Sequence, residues 1–369
     1  MTATLYGAPH SLYTGRARSY LIKAGIPYRE SSMSTPHYRN HVLAKAGGRQ
    51  GVPTLETTDG EVIRDGAAII DHYEATGGQT FAPSTPRQRV ISLLFDVIGA
   101  EGLLRPAMHY RWNFDEQNLD FLRYHFQMIV PPEMADRADG MMDNMRNAGR
   151  AFGTVEETFA LVESLYEELL VILENHFIAH PYLLGGRPCI GDFGMIAPLF
   201  AHLGRDPKPL AMMQAMAPHL YRWVERMNRS DADVGEFVDC SLGYLNDDEI
   251  PETLVAVLKH LAIDFVPETK AAADCINDWL AGQEDLTPGT EAQRAVGLAT
   301  FDVRGITVNA IAQPYRFYLL KRVQDEVDSL NDDDRAAAVS LLEKCDMATL
   351  LDFRLSREIG RQNNLEVWR

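Results

Sequence analysis

The residues that most suggest chemistry lie in the short stretch 50–55, where Val52 precedes Pro53. A peptide bond before proline is the one kind for which the cis form costs little, and a cis bond turns the preceding amide and carbonyl sideways. Backbone groups exposed in this way can pair with an extended peptide, as an added strand does. Pro53 could instead simply begin a strand, which is a common position for proline. The elements on either side favour the first interpretation.

Strand and helix patterns on both sides of Pro53 predict how this stretch is held. Before it, the sequence predicts a strand at 4–7, a loop at 8–14, a helix at 15–24 that stops at Gly25, and a strand at 26–31. After it, predicted strands at 54–56 and 61–63 flank Asp59-Gly60, a strong hairpin turn signal, and a helix follows at 65–74. The predicted order is therefore βαβ, a helix, then ββα.

This order, with the Val52-Pro53 strand and an Ile-x-x-x-Tyr helix at 69–73, resembles the thioredoxin-like N-terminal domain of soluble glutathione S-transferases. A second marker at 182–193 resembles the family's Leu-Gly, variable link and Ser/Thr-x-Ala-Asp pattern, which opens a buried helix. Here Cys189 replaces the hydroxyl residue and Gly191 the alanine, whereas Asp192 keeps the acidic half of the cap. The two motifs, in this order, identify the chain as a member of the family over roughly its first two thirds.

The resemblance implies an α+β chain in three parts. It predicts a thioredoxin-like βαβ-α-ββα domain at residues 1–78, a Pro/Ser/Thr-rich linker at 79–86, an all-α glutathione-transferase C-terminal domain at 87–239, and an extension at 240–369. The extension is predicted to be mostly helical, with helices at 251–263, 268–282, 315–330 and 332–344 and a hairpin at 301–311. No sequence feature assigns a role to the extension.

Hydroxyl residues stand in the loop before the first predicted helix, where glutaredoxins carry two cysteines. Only the thiolate attacks an electrophile, and a free thiol is mostly protonated at neutral pH, so thiol transfer needs a group that stabilises the thiolate. The resemblance makes Ser11 the catalytic candidate, aided by the positive end of the helix dipole. Thr14 and Tyr13 are alternatives, and Tyr6, in the predicted strand before the loop, resembles the tyrosine used in other classes but lies too early in the chain. Ser11 could also serve only as the helix cap.

The resemblance further implies glutathione as the co-substrate. Val52 and Pro53 would present the backbone edge to the tripeptide, while Asp65 and Gly66 stand where the family has a Glu/Gln-Ser pair for the γ-glutamyl group. Asp65 can accept from the ammonium, or be a plain helix cap, and the Gly66 amide can bind the carboxylate, but the serine hydroxyl is missing. Two basic residues are candidates to compensate, unless they are solvated surface charges: Arg64 and Arg49.

The pocket for the second substrate is expected between the two domains. The first loop and the aromatic stretch at 109–114 come from the right places, so Tyr13, Tyr110 and Trp112 are the candidate substrate-binding residues. A purely structural role in the core is the alternative, because aromatic side chains dominate cores by area.

Composition limits the other function classes. The 369 residues carry a formal net charge of −17, which argues against nucleic acid or an anionic membrane as the partner, since both select clustered Lys and Arg. No signal peptide or membrane-spanning apolar run is found, which favours a cytoplasmic location. The four scattered cysteines and the two His-x-x-x-His pairs predict neither a disulfide scaffold nor a metal site.

Three functions remain open at the level of sequence. The leading one is a glutathione transferase-like enzyme that activates the thiol for attack on a small electrophilic or hydrophobic substrate. The alternative is a non-catalytic relative used for protein interaction or regulation, since fold does not fix function. A glutathione-dependent reductase or lyase differs from the first only in its substrate. The family also implies a homodimer, unless the extension covers the pairing surface.

Overall fold

The computed structural model describes residues 2–77 and 80–369, so the predicted domain limits at Met1 and Gly78 and the first linker residue, Gln79, lie outside the described residues. Its strands are β1 Ala3–Tyr6, β2 Tyr28–Ser31, β3 Thr54–Glu56, β4 Val62–Arg64, β5 Leu298–Val303, β6 Ile306–Ile311, β7 Ile359–Gln362 and β8 Leu365–Trp368. Its helices are α1 Leu12–Lys23, α2 Leu43–Lys45, α3 Gly66–Thr76, α4 Pro86–Val97, α5 Leu104–Trp112, α6 Asp115–Met128, α7 Arg137–Ala151, α8 Glu156–Ala179, α9 Ile190–Ala201, α10 Pro207–Met216, α11 Pro218–Met227, α12 Glu252–Ala281, α13 Pro314–Ser329 and α14 Asp332–Lys344.

The first four strands form one sheet in the order β2-β1-β3-β4. β1 runs parallel to β2, with Ala3 opposite Tyr28, and antiparallel to β3, with Leu5 opposite Leu55. β3 and β4 form the hairpin predicted around Asp59-Gly60. Apolar residues of β1, β3 and β4 bury one face of this sheet against α1 and α3. The predicted α+β fold, with its βαβ and ββα halves, is confirmed.

The buried helix α9 connects this sheet to the helical part of the chain, because it packs against both α1 and α4. Asp192 caps its start: the carboxylate accepts the Cys189 amide at 2.9 Å and the Trp223 indole N–H at 2.8 Å. A Cβ added at Gly191 would lie 2.7 Å from the Cβ of Phe95. Glycine therefore replaces the family's alanine because the backbone of α4 approaches α9 too closely for a side chain.

The extension departs from the prediction at two points. One continuous helix, α12, replaces the two that were predicted, so the predicted break before Pro267 was wrong. A proline inside a helix costs about 3 kcal/mol, but Leu261, Phe265 and Ala272 on either side of it are buried in the same core, and burying one large apolar side chain stabilises by about 2 kcal/mol. The hairpin of β5 and β6 forms as predicted, whereas the terminal hairpin of β7 and β8 was not predicted.

The terminal hairpin covers the open edge of the first sheet. β4 is an edge strand, and its outward-facing backbone groups bond to the side chain of Asn364, in the turn between β7 and β8. The Asn364 amide donates to Val62 O at 2.7 Å and to Lys45 O at 3.0 Å, and its carbonyl accepts the Arg64 amide at 3.1 Å. An exposed edge invites pairing with another chain, so this side chain replaces a neighbouring strand.

The extension also shares a core with the rest of the molecule. A single cluster of buried apolar residues runs from Leu12 in α1 to Trp368 in β8. Within it, α13 and α14 pack on α4, and β7 packs on α13. The extension is thus in direct contact with the elements that carry the predicted site.

Candidate thiol site

Ser11 is the residue before α1, and its hydroxyl oxygen accepts the backbone N–H of Thr14 at 3.3 Å. This is a helix cap, as the alternative interpretation held. Capping uses a lone pair of the hydroxyl and leaves its proton free, and a hydroxyl both donates and accepts. Ser11 remains half-buried at the positive end of α1. It can therefore cap the helix and donate to a sulfur at the same time.

Two arginines hold the loop in front of Ser11. Arg111 donates to His10 O at 2.9 Å, and Arg18 donates to Ala8 O at 3.3 Å. Arg111 is itself buried and fixed by a bidentate pair with Asp206, at 2.7 and 2.9 Å. Burial, and then the charge of Arg111, lower the pKa of His10 to about 3, so this imidazole is neutral near pH 7. The two arginines fix the position of the loop, and each is itself paired with a carboxylate, Arg111 with Asp206 and Arg18 with Glu30.

The Val52–Pro53 peptide bond is cis, and Pro53 stands directly before β3. Pro53 O accepts the Asp65 amide at 2.9 Å, which ties this stretch to the start of α3. Val52 is half-buried, and among the described residues neither its N–H nor its C=O makes a hydrogen bond. These two backbone groups are available to pair with an extended ligand.

Asp65 caps α3 from a left-handed backbone conformation, with φ of 89°. Its Oδ1 accepts the amides of Ala67 and Ala68, at 2.8 and 3.2 Å, and its Oδ2 accepts the hydroxyl of Tyr315 in α13 at 2.7 Å. Burial would raise the pKa of this carboxyl, but nearby Arg361 and Arg16 and the hydrogen bond from Tyr315 bring it below its ordinary value. Asp65 is therefore a carboxylate that the extension already contacts.

Gly66 lies between the two halves of the site. A Cβ added there would meet Arg16 Cδ at 3.3 Å and the Tyr13 carbonyl at 3.4 Å. The Ser11–Thr14 loop and the start of α3 are thus in contact, and the Asp65 amide joins both to Pro53. The structure brings Ser11, the Val52 backbone, Asp65 and Gly66 into one neighbourhood.

Two family models match the chain. That of the glutathione S-transferase N-terminal domain matches residues 5–80, and that of the C-terminal domain matches residues 121–231. The chain belongs to the soluble glutathione S-transferase superfamily. The first match contains Ser11, Val52, Asp65 and Gly66, and the second contains the Asp192 helix cap.

Solved structures are similar to this chain at low identity. A beta-etherase from a Sphingobium strain is 19% identical, with a TM-score of 0.42, over 64% of this chain and 99% of its own. A glutathione transferase from Phanerochaete chrysosporium is 15% identical, with a TM-score of 0.44, over 63% and 98%. A Tau class glutathione S-transferase from mango, Mangifera indica, is 17% identical, with a TM-score of 0.38, over 63% and 90%. No curated protein sequence matches the chain.

The structure contains a buried acid that sequence reasoning missed. Glu101 lies in a turn of π-helix, Ile98–Gly102, that follows α4, and only 2% of it is exposed. Its Oε1 is 3.5 Å from the Tyr13 hydroxyl, and within the described residues its Oε2 has no partner. Burial raises the pKa of Glu101 to about 7. One charged residue within the apolar run from Val97 to Leu104 was the signal available in the sequence.

Tyr110 and Trp112, predicted to line a substrate pocket, lie in the core of this transferase-family chain. Tyr110 is 1% exposed and stacks on Phe114, with ring centroids 5.3 Å apart. Trp112 is 2% exposed and packs against Phe126. Neither presents a surface to a ligand, so neither is a substrate-binding residue. Tyr13 stays beside the site through its contact with Glu101.

The arginines considered as replacements for the missing serine are engaged by the extension. Arg64 donates to both carboxylate oxygens of Glu366, at 3.0 and 2.8 Å, and to Asn364 O at 2.7 Å. Arg49 pairs with Glu291 at 2.9 Å. They hold the terminal hairpin in place, which leaves the backbone amide of Gly66 as the remaining donor from the predicted set.

Across residues 2–77 and 80–369, no three His, Cys, Asp or Glu side chains are grouped so that they could hold a metal ion. Among the helices of the same residues, none is both long and apolar enough to cross a bilayer.

Proposed function

We propose that this protein is a glutathione transferase-like enzyme in which Ser11 activates the thiol of a co-substrate for attack on a small electrophile. The observation that supports it best is the Ser11 hydroxyl, whose proton is free while its oxygen caps α1. The free N–H and C=O of Val52 supply a backbone edge for the cysteinyl part of the thiol. Superfamily membership makes glutathione the first co-substrate to test.

The chemistry follows from these positions. The thiol gives its proton to solvent, and the resulting thiolate accepts a hydrogen bond from Ser11 Oγ at the positive end of α1. The sulfur lone pair then forms a bond to the electrophilic carbon, and the leaving group departs with its bonding electrons. The protein contributes positioning and charge stabilisation, and forms no covalent bond to the substrate.

The test separates the donor role of Ser11 from its capping role. Thiolate formation is followed by its ultraviolet absorbance while millimolar thiol is added, and binding is followed by calorimetry. Ser11→Ala removes both roles, Ser11→Gly keeps most of the capping energy but cannot donate and adds no charge, and Ser11→Thr keeps both roles. A hydrogen bond to a charged group contributes about 1.5–3 kcal/mol, so the bound thiol pKa should rise by roughly 1–2 units in the first two variants. An unchanged thiol pKa in Ser11→Gly would refute the proposal.

A second candidate function is supported by the Asp65 contacts. The carboxylate that the family uses for the γ-glutamyl ammonium already accepts from Tyr315 at 2.7 Å. A non-catalytic relative, used for protein interaction or regulation, would need no free subsite. Absence of thiolate formation with every thiol tried would favour this candidate. A reductase or lyase acting with the same thiol differs only in the electrophile, so a substrate panel separates these from a transferase.

The homodimer expected from the family is part of the proposal. Because α13 and α14 pack on α4, that face is covered by the chain itself, and a second copy would have to bind elsewhere. Sedimentation velocity distinguishes the 41.3 kDa chain from its dimer. If the protein is a monomer at micromolar concentration, the proposed dimer is refuted, whereas the proposed thiol chemistry is unaffected.

A further inference from the structure

The γ-glutamyl subsite is filled from within the chain. A carboxylate offers about four acceptor positions, and Asp65 has used three: two for the Ala67 and Ala68 amides and one for the Tyr315 hydroxyl. Only 16% of the Asp65 side chain is exposed to solvent. An incoming ammonium has three protons to satisfy once it leaves water, and it would find one free position here.

Charge near Asp65 also disfavours an ammonium. Arg361, in β7, places Nη1 3.8 Å from Asp65 Oδ1 and is held there by Glu366 at 2.8 Å. The buried Arg16 lies against Gly66. An ammonium at Asp65 would therefore compete with the Arg361 guanidinium, and like charges at such distances repel.

The carboxylate end of a γ-glutamyl group would also find few free hydrogen-bond donors at the start of α3. The amides of Ala67 and Ala68 are bonded to Asp65. The Gly66 amide is the donor that remains, and Gly66 provides no hydroxyl to bind beside it. A serine there would press on Arg16 Cδ and on the Tyr13 carbonyl. By contrast, the Val52 backbone and the Ser11 proton have no competing partner among residues 2–77 and 80–369. The groups that would bind a cysteinyl thiol are therefore free, whereas most of the groups that would bind a γ-glutamyl group are occupied.

Resting on the proposed thiol chemistry of Ser11, we propose that Tyr315 determines specificity by excluding the γ-glutamyl group. The co-substrate is then an N-acylated cysteinyl thiol that lacks a free amino acid group on its acyl side. Such a thiol keeps the amide N–H and C=O that pair with Val52. It carries no ammonium, so it does not need to bind Asp65. Tyr315 is a residue of the extension, so this assigns the extension a role in substrate choice.

The experiment compares two thiols that differ only in this group, glutathione and N-acetylcysteinylglycine. Each is titrated into the full-length protein while thiolate absorbance and heat are recorded. The wild-type protein should bind N-acetylcysteinylglycine at least as tightly as glutathione. Glutathione binding that is tenfold tighter or more would overturn the inference and leave the Ser11 chemistry standing. Absence of a thiolate signal with both thiols would overturn the proposed function, and the inference with it.

Variants of α13 test the role of Tyr315 directly. Tyr315→Phe frees Asp65 Oδ2 and keeps the ring, so glutathione affinity should rise about tenfold while that of N-acetylcysteinylglycine stays unchanged. Tyr315→Ala also clears the ring and should raise glutathione affinity further. Tyr318→Phe is the matched control, because it removes a hydroxyl from the same helix that does not contact Asp65. The inference is overturned if neither Tyr315 variant gains affinity for glutathione. It is also overturned if Tyr318→Phe gains as much affinity as the Tyr315 variants.

Discussion

Glu101 is the side chain for which burial and charge conflict most directly. It is 2% exposed, its Oε2 has no partner among the described residues, and burial raises its pKa to about 7 from an ordinary 4.5. Arg316 reaches only the Glu101 backbone carbonyl, at 3.0 Å, because its guanidinium is paired with Glu268. The carboxyl is thus largely protonated at pH 5–6, where an exposed glutamate would be mostly charged.

We predict that Glu101→Gln removes a pH dependence of stability. The folded pKa exceeds the unfolded one, so the unfolded chain binds fewer protons between pH 4.5 and 7, and stability falls as pH rises through this window. The variant does not titrate there, so its free energy of unfolding relative to wild type should rise by on the order of 3 kcal/mol from pH 4.5 to 7.5. Urea denaturation at several pH values measures this. Glu116→Gln, on the exposed surface of α6, controls for the change of charge.

At the scale of elements, the start of α3 shows why the family's serine is missing. Gly66→Ser would place a Cβ 3.3 Å from Arg16 Cδ, and Arg16 is held by its ion pair with buried Asp96. We expect this variant to lose about 1–2 kcal/mol of stability through overpacking. Gly140→Ser in α7, where an added Cβ meets nothing within 4 Å, should gain about 0.5 kcal/mol from helix propensity. Thermal unfolding of both variants checks this, and an equal response at the two sites would contradict it.

The turn between β7 and β8 offers an internally controlled prediction. Asn363 and Asn364 both have left-handed backbones, with φ of 51° and 65°, so alanine incurs a similar backbone cost at either position. Of the two, only Asn364 bonds to the edge of β4, through two hydrogen bonds, and a third joins it to Lys45 O in α2; each is worth about 1 kcal/mol. Asn364→Ala should therefore be about 2–3 kcal/mol less stable than Asn363→Ala in chemical denaturation. Equal stabilities would show that the edge does not depend on this side chain.

What the sequence could predict was local. Pro53, Asp59-Gly60 and residues 301–311 carry their structure in neighbouring residues, and the fold followed from them. The contact between Tyr315 and Asp65 spans 250 residues, and no periodicity links the two positions. Pro267 gave the wrong break, because packing on both sides of α12 outweighs the lost hydrogen bond. The pair Asn363-Asn364 favours a hairpin turn, so the terminal hairpin of β7 and β8 could have been predicted from the sequence.

At the scale of the whole molecule, charged side chains anchor the extension to the transferase-like part. Arg322 of α13 lies between two acids, 2.6 Å from Asp71 of α3 and 3.3 Å from Asp96 of α4. Arg89 of α4 pairs with Glu326 of α13 at 2.7 Å. Together with the apolar core that runs from Leu12 to Trp368, these pairs make it costly for α13 to detach while α4 stays folded. The extension should therefore behave as part of one cooperative unit.

We predict that α13 and α9 open at the same free energy. In hydrogen exchange followed by mass spectrometry at low denaturant, their most protected amides should converge on one opening free energy, equal to that of global unfolding. The segment 229–245 joins α11 to α12 and contains the exposed Val238 and Leu242, so it should exchange at far lower free energy and serves as the internal reference. If α13 opened several kcal/mol below α9, the extension would be a separately unfolding cover. Tyr315 would then leave Asp65 in a minor state of the native protein, and glutathione would have a transient route to the closed subsite.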